Sequence, residues 1–170
     1  MLRAAPLLLS LLAGCPFEDS APPEVDLSRL TEAGGCRDVV LYIASEEGDL
    51  MMVFEHYGEL ARAAYEAGGL AEREIELPLE GNLWLWEGQR LPNLECNDFT
   101  DGSEVIDRTW TVTSGSAYLS VDTRGVSKVP GEYLGDGVIV LTDVVLESDD
   151  GDPIEIETMS WSALVGWVSW

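Results

Sequence analysis

The chain has 170 residues with a formal net charge of −23, from 32 acidic residues against nine basic ones, yet 46% of it is hydrophobic and six residues are Trp. That much apolar surface argues for a packed globule and against a disordered acidic tail. So acidic a surface repels phosphate backbones and anionic head groups, which excludes nucleic acid as a partner and leaves cations and basic proteins.

The amino end carries Arg3, then an apolar run containing Leu7, Leu8, Leu9, Leu11 and Leu12, then the small residues Ala13 and Gly14 before Cys15. This is the pattern of a signal peptide, and the run is far shorter than the roughly 20 residues a membrane-spanning helix needs. Leu12-Ala13-Gly14-Cys15 resembles the lipobox of bacterial lipoproteins. The resemblance implies acylation of the Cys15 sulfur, cleavage before Cys15 and a further acyl chain on the new amino end. Two or three acyl chains hold a protein on a membrane without a spanning segment. Pro16, where inner-membrane retention would place Asp, leans by the same analogy toward the outer membrane. Residues 1–14 are thus expected to be signal peptide and residues 15–35, rich in Pro, Glu and Asp, a lipidated tether. Residues 36–170 are left for a single domain.

Cys36 and Cys96 remain as an even pair in an exported chain, which predicts a disulfide; two free thiols or a metal site are the alternatives. Residues 38–44 and 49–56 read as strands apolar on both faces, hence covered on two sides. Residues 59–67 form the one strong helical stretch, ended by Gly68-Gly69. A helix so short needs a partner surface, and the outer face of those first strands is where it is expected. Residues 74–79 alternate cleanly, and residues 83–86 are again apolar on both faces. The second half reads as strands over 104–113 and 117–122, turned at Ser114-Gly115, then 138–146, 154–161 and 163–170. Eight or nine short antiparallel strands with one helix packed on a sheet predict a mainly β, two-sheet sandwich, with a small β-barrel as the alternative.

Three features could carry function. Asp149, Asp150 and Asp152 crowd one turn, and converging carboxylates suit calcium, although a solvated hairpin turn has the same composition. Trp84 and Trp86, two apart on a strand, share a face. Left open, that face would be a stacking platform for a sugar ring or an apolar peptide; covered by the helix, the two rings would be core. His56 is the single imidazole, and no GxSxG-type nucleophile motif accompanies it. The expected function is therefore a non-enzymatic binding or interaction module of the cell envelope, membrane-attached through lipid, with an envelope protein or glycan as partner. A calcium- or carbohydrate-binding module and a hydrolase with a carboxylate site are the alternatives.

Overall fold

The computed structural model describes residues 24–96, 102–125 and 133–167. Its elements run β1 (Leu30–Cys36), β2 (Val40–Ser45), β3 (Leu50–His56), α1 (Leu60–Ala67), β4 (Leu70–Leu77), β5 (Gly81–Gln89), β6 (Val105–Asp122), β7 (Tyr133–Ser148) and β8 (Pro153–Trp167). All pairings are antiparallel, in the order β1-β2-β3-β5-β6-β7-β8, and β4 joins β6 off this path. The 18 residues of β6 serve two neighbours on one edge. Residues 105–111 pair with β5, and Gly115–Asp122 pair with β4. Strands this long coil as they twist, and the last returns toward the first. The Gly166 amide of β8 donates to the Arg37 carbonyl just after β1 at 2.5 Å. The sheet is thus a nearly closed barrel. Among the described residues, the mainly β character, the eight antiparallel strands and the single α-helix agree with the sequence pattern. Of the two architectures expected, the structure takes the barrel and not two separate sheets.

Two turns expected in the second half are absent. The Ser114-Gly115 pair does not reverse the chain; β6 runs straight through it. The pair instead marks register shifts against β7 between Val112 and Ser116, with Gly115 at φ 129° and Asp143 opposite at φ 50°. A turn composition inside a strand here makes a bulge, which bends the barrel wall where β5 hands over to β4. Likewise β8 continues past residue 162 without a break.

The expected tether also gives way to structure. Leu30–Cys36 is β1, paired with β2 over its whole length, and the preceding residues lie against the barrel with Val25 and Leu27 packed on its core. Arg29 fastens this strap to the Asp49 carboxylate at 2.5 and 2.7 Å.

The barrel interior is one apolar cluster that includes Phe54, Leu83, Leu85, Trp110, Leu119 and Ile139, each 1% exposed or less. Helix α1 adds Leu60, Ala61 and Ala64 to that same cluster. It therefore closes one end of the barrel, packed on β4, β6, β7 and β8, and does not lie on the outer face of β2 and β3. Glu59 makes no side-chain cap. Asp38, in the β1–β2 turn, takes that place by accepting from the amides of Ala61 and Arg62 at 3.4 and 3.2 Å. At the other end Gly68, at φ 72°, takes the left-handed conformation that ends the helix.

A second cluster lies outside the barrel wall. Val40, Ala44, Met51 and Val53, on the outer faces of β2 and β3, are covered by Leu91. Leu91 opens a short 3-10 turn, Leu91–Leu94, whose far side is clamped by the Cys36–Cys96 disulfide with the two Cα atoms 5.4 Å apart. This disulfide-held flap, not the helix, is why β2 and β3 are apolar on both faces.

Candidate functional site

The barrel end opposite α1 is only partly closed. On β6, Thr123 follows the last strand residue and its hydroxyl donates to carbonyls of Ala64 and Gly69, so the start of β6 lies at the other mouth. Period-2 alternation places Arg108 and Trp110 there on the same inward face. Trp110 is 1% exposed, and the Arg108 guanidinium stacks on it with its central carbon 4.3 Å from the ring centroid. Asp152, in the turn between β7 and β8, pairs with the same guanidinium. The Arg108 Nε–H is buried and has no acceptor among the described residues.

These groups line a cleft of about 740 Å³. Val25 and Leu27 of the strap, with Pro153 and Ile154 of β8, form its apolar walls, and Glu24, Asp26, Asp152 and Glu155 line it with Arg108. The strap that forms one wall is held by polar contacts. Asp26 accepts from the Ser28 amide and hydroxyl at 3.0 and 2.6 Å, and these bonds hold its carboxyl below the usual Asp range. Asp49 is held low too, first by the Arg29 guanidinium and then by the buried Ser45 hydroxyl at 2.7 Å. Such a mouth, apolar-walled with one half-buried charge on its floor, is the usual place for a small-molecule site in a small barrel.

The residues singled out from the sequence fall elsewhere or apart. Asp149 and Asp150 are exposed, while Asp152 is drawn inward to Arg108. Among the described residues no group of three or more His, Cys, Asp or Glu is placed to hold a metal ion, so of the two readings of the acidic turn the converging calcium set is not formed. Its geometry is that of a hairpin turn organised by Ser148, whose hydroxyl accepts from the Asp152 amide at 3.0 Å. Trp84 and Trp86 stack at 6.2 Å between centroids and 27° between planes. Both are half-buried at the margin of the outer cluster beside Tyr42 and Leu94, so they are neither an open platform nor full core. Cys36 and Cys96 are joined as expected. Leu12, Ala13, Gly14 and Cys15 lie outside the described residues.

His56 is 6% exposed and accepts from the Gly58 amide through Nδ1 at 3.0 Å. Burial, then the nearby Arg73 charge, lowers its affinity for a proton, so it is neutral at pH 7. The pairing of Arg108 with Asp152, 44 residues apart, is the feature that pattern reading missed. The signal was present: in Ile106-Asp107-Arg108-Thr109-Trp110-Thr111-Val112, alternation assigns Arg108 to the same side as Trp110 and Val112, an inward charge that needs a partner.

No family model, no curated protein and no solved structure matches this chain. The site's own chemistry therefore carries its reading.

Proposed function

We propose that this protein is an exported, lipid-anchored binding module of the cell envelope, which takes a small ligand into the mouth of its barrel. The observation that carries the binding reading is the cleft floored by Arg108 on Trp110, where one guanidinium, its side chain 20% exposed, lies between apolar walls. A guanidinium set between apolar walls has fewer water partners than one on the open surface, so a ligand oxygen that accepts from its open N–H groups forms a charge-assisted bond there. Export is supported by the Leu12-Ala13-Gly14-Cys15 lipobox together with the Cys36–Cys96 bridge, since such bonds persist in oxidising compartments. Intact-mass measurement of the membrane-extracted protein tests the anchor: the mature chain begins at Cys15 and carries acyl mass. Cys15→Ala moves it to the soluble fraction. An uncleaved, unacylated product overturns the anchoring.

A second reading, a carbohydrate-stacking face, is favoured by the half-buried Trp84–Trp86 stack next to Tyr42. Quenching of tryptophan emission by soluble oligosaccharides, lost in Trp86→Ala, is the outcome it requires.

A further inference from the structure

The chemistry of the mouth narrows what it takes. This step rests on the mouth being a binding site, as proposed above, and names the class of ligand. Four carboxylates, from Glu24, Asp26, Asp152 and Glu155, line the cleft with one guanidinium, Arg108, which Asp152 already pairs; a second cation, Arg29, acts on Asp26 from beside the cleft. A ligand carboxylate or phosphate entering there meets net negative charge at short range, and the whole chain at −23 repels it from a distance. An ammonium group is drawn in by the same field. Arg108 remains a donor on the floor: its fork carries five N–H groups, Asp152 accepts from Nη2, and the side chain stays 20% exposed. What complements it without a charge clash is a neutral oxygen, a carbonyl or hydroxyl. Between floor and rim, Val25, Leu27, Ile154 and the edge of Pro153 offer apolar contact.

We infer that the barrel mouth binds a small organic ammonium ion with an apolar body and a carbonyl or hydroxyl oxygen, the oxygen accepting from Arg108 and the ammonium facing Glu24 and Glu155.

Three benzamides that share ring and carbonyl but differ in charge test this on the full-length protein. They are N-(2-aminoethyl)benzamide as the cation, N-ethylbenzamide as the neutral form and N-benzoylglycine as the anion. A fourth probe, 3-phenylpropylammonium, keeps the charge and loses the acceptor. Binding is read by NMR from the Trp110 indole N–H, which lies under Arg108. The cation is expected to bind tightest, the anion about tenfold or more weaker, a difference of about 1.4 kcal/mol, and the acceptor-free amine weaker than the cation. Glu24→Gln with Glu155→Gln changes two exposed rim residues, leaves the fold intact and is expected to erase the preference of cation over neutral probe. Probes that shift Trp110 with the anion equal or tighter, with the acceptor-free amine equal to the cation, or with an order unchanged by the rim variant overturn the ligand class alone. If no probe shifts Trp110 at millimolar concentration, the reading of the mouth as a binding site falls with it.

Discussion

Removing the disulfide tests whether the flap belongs to the fold. In Cys36→Ala/Cys96→Ala, a crosslink spanning 60 residues is lost. The chain-entropy model puts its contribution at about 4 kcal/mol, through the wider freedom of the unfolded chain. In a domain of this size that corresponds to roughly 8 to 16 °C in Tm. The local effect is separable. Leu91 is fully buried on the outer cluster, and its amide donates to the Gly48 carbonyl at 2.9 Å. Leu91→Ala in the oxidised protein leaves a hole beside Met51 and Val53 that the clamped flap cannot relax into, at a cost of about 2 to 5 kcal/mol. Without the disulfide the flap can lift as a unit, so the same substitution costs less. Urea unfolding of the four proteins, followed by circular dichroism, forms the cycle. Tryptophan emission shifts to the red as Trp84 and Trp86 lose their cover. A loss under about 1 kcal/mol for the double Cys variant, or an equal cost of Leu91→Ala in both backgrounds, refutes the reasoning.

The remaining predictions are narrower. A Cβ on Gly88 would stand 1.9 Å from the Val105 carbonyl oxygen at the β5–β6 bulge, so Gly88→Ala lowers stability by about 1 to 3 kcal/mol or blocks folding. Gly125→Ala, which meets nothing within 4 Å, is the control, and urea midpoints compare them. Asp38→Ala uncaps α1 and costs about 1 kcal/mol, whereas Asp38→Asn keeps an acceptor and loses less in the same denaturation assay. His56 is neutral in the fold with its proton affinity depressed, while in the unfolded chain it titrates near 6.5. The unfolded state therefore binds the extra proton first, and stability falls as pH drops below about 6.5. The lone imidazole gives a clean NMR titration: a midpoint at or above about 6.5 contradicts this, and His56→Gln removes the corresponding slope in stability.

Local periodicity made most strands and the helix legible, because each depends on a face that neighbours in sequence define. The two-sided apolarity of β2 and β3 was legible as well, but not what covers the outer side. Short helix and flap are equally apolar candidates, and only the three-dimensional closure of the sheet decides between them. Once the barrel closes, its open end near β4 and β7 takes Leu60, Ala61 and Ala64, and the outer face is left to Leu91. Ser114-Gly115 misled for a related reason. Gly permits both a reversal and a bulge, and which occurs depends on whether β7 is long enough to pair across it, as its 16 residues are. Arg108 was hidden because an isolated Arg in a polar-apolar alternation reads as an outward residue unless its exact phase against Trp110 is followed.

The two ends of the barrel are closed by different physics, and this sets which of them can admit a ligand. At one end α1 buries three side chains in the core and is tied through Asp38 and Thr123, so opening it exposes apolar surface. At the other end the strap is held chiefly by exposed polar contacts, Arg29 to Asp49 and Asp26 to Ser28, with Val25 and Leu27 only partly buried. Exposed ion pairs contribute little each, so this end opens at far smaller cost than the core.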